Sequence, residues 1–185
     1  MEYRETIRLR DGRECLLRAA SEEDGPAVLD VFIRIHAQTD YLLTYPDETA
    51  MTAEQESDYL RKKKESRDEI EILALVDGTP VGIAGISRVG TKDKIKHRAE
   101  FGISVDKAFW GLGIGRALTR ACIACAAEAG YAQLELAAVA ENERALALYR
   151  SEGFTEYGRN PRGFRSRRGL WQELVLMRLE LGAES

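Results

Sequence analysis

The sequence predicts a mixed α/β (α+β) fold, with helices covering a mainly antiparallel sheet. Three observations carry that prediction. Apolar runs of strand length and amphipathic helical stretches follow one another in the order β, two helices, three strands, then α, β, α, β, β. Two of the strand runs flank Asp77-Gly78, the signature of a tight hairpin. A glycine-rich turn then separates a strand from a helix whose apolar residues recur at helical spacing.

Taken in order, Glu14–Arg18 (ECLLR) reads as a short strand. Ser21 to Asp24 supply acceptors ahead of a turn holding Pro26, which is the chemistry of a helix start. Val28, Val31, Phe32 and Ile35 fall at i, i+3, i+4 and i+7 and make one apolar stripe. The pattern breaks at Tyr45-Pro46-Asp47. Thr52 with Gln55 has capping-box spacing and opens a second helix to about Arg67. Its RKKKESRDE tail reads as a solvated face. Glu71–Val76 and Val81–Ser87 are the two arms of the hairpin. Lys92–Arg98 is polar and basic, and reads as the exposed start of a strand that continues through Val105.

Beyond the glycine turn, Ile114, Ala117, Leu118, Ala121, Cys122 and Cys125 form the stripe of a helix that Gly130 closes. Gln133–Val139 is a strand, Asn142–Glu152 a short helix stopped by Gly153, and Phe154–Gly158 the beginning of another strand. A basic loop with Arg159, Arg162, Arg165, Arg167 and Arg168 leads to the last strand, Leu170–Leu181. With no repeat and no linker, residues 1–185 are expected to form a single domain.

Composition narrows the class. The chain is 44% hydrophobic and 31% charged, as soluble globular proteins are. No apolar run approaches the ~20 residues of a membrane span, and the start is too polar for a signal peptide, so a cytoplasmic address with no membrane partner is expected. A formal net charge of -4 makes no global case for nucleic acid. The arginine loop reads as solvated. Three cysteines argue against a disulfide framework. Cys122 and Cys125 form a CxxC, but Cys15, His36 and His97 have no zinc-site spacing relative to it, so both read as core and no metal is expected.

The most informative stretch is Phe109-Trp110-Gly111-Leu112-Gly113-Ile114-Gly115-Arg116. Glycine lets a backbone turn with positive φ and approach a ligand closely. The helix start behind it offers free N–H groups and partial positive charge, a seat for pyrophosphate. The dinucleotide fingerprint GxGxxG fails, because Arg116 or Leu118 stands where its third glycine belongs. No GK[ST] follows, so a Walker A loop fails as well. Twenty-seven residues after Gly115 comes Asn142, in ENERALALYRSEGF.

These two motifs resemble those of the GNAT superfamily of acetyl-coenzyme A-dependent N-acetyltransferases. The family's coenzyme motif ends in GxG or GxA after a strand, and its later signature reads Asn-x-x-Ala-x-x-Leu-Tyr-x-x-x-Gly-Phe. Asn142, Ala145, Leu148, Tyr149, Gly153 and Phe154 stand at those places. The resemblance covers residues 14 to 181 and is strongest from 100 to 157. TDYLLTYPDE and LWQELVLM also look like a bacterial branch of small GNAT proteins proposed to acetylate amino acids, antibiotics or proteins. The resemblance implies a six- to seven-stranded sheet with helices on both faces, acetyl-coenzyme A as co-substrate, and an amine of a small molecule or protein as acceptor. A homodimer is left open.

Carried over residue by residue, the resemblance implies that Gly111, Leu112, Gly113, Ile114, Gly115 and Arg116 hold the pyrophosphate. Trp110 departs from the family's usual Gln or Arg. Because the phosphate contacts come mainly from backbone amides, the change should be tolerated. Pantetheine is expected between the strand ending at Val105 and strand 133–139, against the backbone of Ile103 and Val105. The Val105 amide would then stabilise the oxyanion, and Asn142 would cap its helix and reach pantetheine. Tyr149 is the candidate general acid.

An alkyl ammonium with pKa ~10.4 is neutral in only about one part in a thousand near pH 7, equivalent to ~4 kcal/mol, so a proton acceptor is needed. Many relatives carry Glu five residues before the Asn, where this chain has Ala137. Glu100 is the candidate water-mediated base, with Glu135 and Glu173 as alternatives. The missing glutamate also leaves open an acyl-coenzyme A sensor without turnover.

Overall fold

Eight strands form one sheet in the computed structural model, which describes residues 1–48 and 50–182. They are Arg4–Arg8 (β1), Glu14–Ala19 (β2), Ile70–Val76 (β3), Thr79–Arg88 (β4), Arg98–Val105 (β5), Gln133–Val139 (β6), Thr155–Arg165 (β7) and Trp171–Glu180 (β8). The order across the sheet is β1-β2-β3-β4-β5-β6-β8-β7. Every neighbouring pair is antiparallel except β5 with β6. Four helices pack on it: Gly25–His36 (α1), Ala53–Glu65 (α2), Ile114–Glu128 (α3) and Glu143–Ser151 (α4). The sheet is therefore wider than the expected six to seven strands.

The apolar run of β3 lacks polar alternation because both of its faces are covered. Ile72 and Ala74 join the core beneath α3, with Ile86, Leu118, Cys122 and Leu134. Leu73 and Leu75 join the core beneath α1 and α2, with Val28, Val31, Ile35 and Leu60. Burial of each large aliphatic side chain contributes about 1.5–3 kcal/mol. Cys15, Cys122 and Cys125 are free and buried, and burial raises their thiol pKa values. The hairpin turn between β3 and β4 has positive φ at both Asp77 (50°) and Gly78 (76°), the primed geometry that matches strand twist.

Four features differ from the sequence reading. β1 was read only as a polar start, but it pairs with β2 from Arg4↔Arg18 to Arg8↔Glu14. As an edge strand exposed at four of its five positions, it carries no apolar alternation to read. Residues 89–97 form turns, and the strand begins at Arg98. β7 continues to Arg165 with two register irregularities, so Arg159, Arg162 and Arg165 lie on a strand rather than in a loop. Lys63, in the tail read as solvated, is buried, with Nζ donating to the Ile86 carbonyl at 2.9 Å and to the Ser87 hydroxyl.

Candidate active site

The one parallel ladder among the described residues is short. β5 pairs with β6 at Arg98↔Gln133, Ala99↔Leu134 and Glu100↔Glu135, and there it stops. β5 continues along β4 to Val105, while β6 continues along β8 to Val139. The Tyr149 and Phe154 rings pack against Phe101 near the parting strands, at centroid distances of 6.1 and 6.2 Å. The Asp106 N–H bonds the Val81 carbonyl across the β4 ladder. By alternation, the N–H groups of Val105 and Ile103 turn to the opposite edge, which β6 has left.

A cleft of about 310 Å³ occupies this opening. Of the residues the resemblance assigns to the coenzyme, Ile103, Val105, Gly111, Gly113, Ile114, Gly115, Arg116 and Asn142 all line it, as does Tyr149. Leu112 does not. Its carbonyl accepts from the Arg10 N–H at 3.2 Å, and its side chain packs on the core.

The glycines act by conformation. Gly113 is the N-cap of α3 with φ 105°, no side chain caps the helix, and a Cβ there would meet nothing within 4 Å. The first intrahelical bond is from the Ala117 N–H to the Gly113 carbonyl, so the N–H groups just before it have no helical partner. Gly111 also has positive φ, 82°. Trp110, which departs from the family's pattern, ties the loop to the sheet: its indole N–H donates to the Val105 carbonyl at 2.7 Å. Its ring also lies 5.1 Å from the Arg144 guanidinium carbon.

Sequence reasoning missed Arg10 and Arg144, which line the same cleft. Arg10 reaches from the β1–β2 turn and donates to the Gly111 carbonyl at 3.2 Å, a long-range contact with no local signal. Arg144 lies two residues after Asn142, inside the motif already found. The Arg116 guanidinium is turned toward Glu152, with Nε 3.1 Å from Oε1.

The Asn142 side chain caps α4 by accepting from the Ala145 N–H at 3.3 Å, which leaves its amide N–H₂ outside the cap. Tyr149 is buried, and burial pushes its hydroxyl pKa up to about 12. Among the described residues that hydroxyl has no hydrogen-bond partner, and the residue lines the cleft.

The candidate bases separate clearly. Arg98 donates to both oxygens of Glu135, and Glu135 is buried. Glu173 pairs with Arg159 at 2.8 Å and lines neither cleft. Glu100 is exposed, has no ion-pair partner among the described residues, and lies in a second cleft rather than beside Tyr149. That cleft, of about 350 Å³, shares Leu42, Ile103 and Ser104 with the first. Four of the five arginines from Arg159 to Arg168 are engaged: Arg159 with Glu156 and Glu173, Arg162 and Arg165 over the Trp171 ring, and Arg167 with Asp47. No group of three potential metal ligands occurs among the described residues, and no helix is long and apolar enough to cross a membrane.

Comparison with known proteins identifies the family and the fold. The chain is 43% identical over 88 residues to the N-alpha-acetyltransferase RimI of Mycobacterium tuberculosis, an alignment covering 48% of this chain and 53% of that protein. The chain thus spans about half the length of that curated relative. Its fold superposes on an acetyltransferase of the GNAT family from Streptococcus pneumoniae with a TM-score of 0.85, at 26% identity over 91% of this chain and 99% of the other. It superposes on a ribosomal-protein-alanine N-acetyltransferase from Brucella melitensis with a TM-score of 0.79, at 27% identity over 89% and 99%. Residues 34–154 match the acetyltransferase (GNAT) family profile. That span runs from the end of α1 through the parted strands, the glycine loop and α4, and the chain belongs to this family.

Proposed function

We propose that the protein transfers acetyl from acetyl-coenzyme A to a primary amine, with Tyr149 as general acid and Glu100 as a base acting through water. The observation that carries this reading is the opening that runs from the uncapped start of α3, along the free edge of β5, to Tyr149. The cleft of Glu100 borders it at Leu42, Ile103 and Ser104. The fit to the coenzyme rests on the same features. Pyrophosphate suits the α3 end, where uncapped N–H groups, open space above Gly113 and the arginines at 10 and 144 meet. The N–H groups of Ile103 and Val105 and the Asn142 amide would hold pantetheine. Bound there, acetyl-coenzyme A supplies an activated acyl thioester.

The chain's own residues then divide the work. The Val105 N–H donates to the thioester carbonyl oxygen as negative charge gathers on it. Tyr149, kept neutral by burial, gives its proton to the sulfur as the C–S bond breaks. The same dry surroundings disfavour a bare thiolate, which raises the sulfur's demand for that proton. Glu100 accepts, through water, the proton that the amine gives up as its nitrogen bonds to the acetyl carbon. The name of the mycobacterial relative supports an α-amine of a protein or peptide as the acceptor, with a small-molecule amine second.

Acetyl-coenzyme A at 100 times its Kd should stabilise the protein by about 2.7 kcal/mol, read as a raised Tm, whereas NADH and ATP should do far less. Thiol should be released when amines are supplied. Equal stabilisation by all three ligands, or no thiol release with any amine, ends this reading. Thiol release also separates the enzyme from a silent acyl-coenzyme A sensor.

Glu100→Gln should leave the fold and coenzyme binding intact, because the side chain is exposed. Turnover at pH 7 should fall and recover as rising pH deprotonates the amine in solution. A variant equal to the parent at pH 7, or slow at every pH, would remove Glu100 from the role.

A further inference from the structure

The floor of the second cleft is set by strand register. Glu71 on β3 lies opposite Gly85 on β4, and Gly85 lies opposite Gly102 on β5. Ser87 opposite Glu100 forms the next row on the same face. Two adjacent glycines leave a gap in the carpet of side chains, and a Cβ at Gly102 would meet nothing within 4 Å. The Glu71 carboxylate leans over that gap: a Cβ at Gly85 would lie 2.4 Å from its Oε2. Oε2 accepts from the Tyr59 hydroxyl at 3.4 Å, while Oε1 has no hydrogen-bond partner among the described residues.

The charges around this trough are one-sided. Glu71 and Glu100 line it, and among the described residues no arginine or lysine does. His36, from α1, is stacked on Phe32, and burial lowers its pKa and favours the neutral ring. From α2, Tyr59 and Glu56 face Glu71. Lys63 also lies near it, but its ammonium is already bonded to the Ile86 carbonyl and the Ser87 hydroxyl. Cys122, from α3, approaches through the opposite face as a buried thiol.

We propose that Glu71 binds the ammonium of the acceptor in this trough, and that the site selects cationic amines with no carboxylate beside the amine, such as an amidated α-amine, over free amino acids. The inference rests on the acetyltransferase reading above and names the acceptor class of that site. A free amino acid would bring a carboxylate to a cleft with two carboxylates and no cation to receive it. A peptide N-terminus carries a neutral amide there and meets no such repulsion.

The state of Glu71 supports the assignment. Burial raises its pKa, the Lys63 ammonium opposes that, Glu56 adds to it and the Tyr59 hydroxyl opposes it, leaving a value of about 7. A docked ammonium favours the ionised form and so lowers that value. Binding of a cationic amine therefore strengthens as pH rises to about 7 and weakens below it.

The test uses the full chain saturated with acetyl-coenzyme A, and L-alaninamide against L-alanine as probes. Alaninamide should exceed alanine in kcat/KM by tenfold or more. In Glu71→Gln that ratio should collapse toward unity, mainly through KM for alaninamide. With coenzyme A in place of the acetyl form, alaninamide should lower the Glu71 midpoint seen by carboxyl ¹³C NMR, and alanine should not. Gly102→Val, whose Cβ would meet nothing within 4 Å and whose methyls would enter the trough, should raise KM for alaninamide at least tenfold and leave the acetyl-coenzyme A Tm shift unchanged. Alanine equal to alaninamide, a ratio unmoved in Glu71→Gln, or alaninamide with neither turnover nor effect on Glu71 would each overturn the assignment. If acetyl-coenzyme A itself gives no Tm shift, the acetyltransferase reading has failed instead.

Discussion

Gly113→Glu is expected to abolish stabilisation by acetyl-coenzyme A while the protein still folds. Two effects act together. Gly113 sits at φ 105°, a region that costs a residue with a Cβ about 1–2 kcal/mol. The site is otherwise open, since a Cβ meets nothing within 4 Å, so the fold should absorb that cost. The second effect is electrostatic. The start of α3 attracts anions because its N–H groups are uncapped, and a carboxylate placed there would occupy the seat and repel pyrophosphate. A melting curve with and without ligand decides it. The apo Tm should drop by a few degrees and the ligand-induced shift should vanish. A retained shift would mean that the pyrophosphate does not lie over Gly113.

Tyr149→Phe should lower turnover by ~10²-fold or more with little change in acetyl-coenzyme A affinity. The ring packs against Phe101 and Phe154 at 6.1 and 6.0 Å, and Phe keeps both contacts. The hydroxyl contributes no internal hydrogen bond among the described residues, so its removal leaves no orphaned partner. Stability should therefore hold steady while the proton donor is lost. With burial holding the phenol near 12, the parent should show no loss of activity assignable to this group between pH 6 and 9. Unchanged turnover in the variant would demote Tyr149 to a packing residue.

What could be read from the sequence was whatever is local. The stripe of α3, the Asp77-Gly78 hairpin and the spacing from Gly115 to Asn142 are patterns within short windows, and each element formed where its pattern lies. The expected antiparallel sheet with helices on both faces is present, with more strands than foreseen. β1 escaped because a solvent-facing edge strand need not alternate apolar with polar residues. The far half of β7 escaped because Arg159, Pro161 and Arg162 read as loop chemistry.

Lys63 looked solvated as part of a charged run, yet it faces the sheet and satisfies the Ile86 carbonyl. Glu71 appeared in the sequence only as the first residue of the hairpin arm Glu71–Val76. Its importance depends on lying opposite Gly85 and Gly102, a register between three strands that no single window contains. Glu135 and Glu173 stood in the sequence as alternatives to Glu100. Their partners, Arg98 and Arg159, which no local window shows, set them apart.

The parted strands β5 and β6 have a consequence for self-association. A row of unpaired backbone donors and acceptors at the rim of a sheet invites strands from other molecules. Here the unpaired row along Ile103 and Val105 lies inside the sheet, between two of its own strands, with α4 close by. A passing polypeptide would need a slot of two strand spacings, each ~4.8 Å, with room for side chains above and below. Tyr149 and the glycine loop wall that opening, which holds about 310 Å³. The unpaired edge therefore faces a narrow cleft suited to a slender, amide-bearing ligand, rather than a rim where another protein could use it as a template for aggregation.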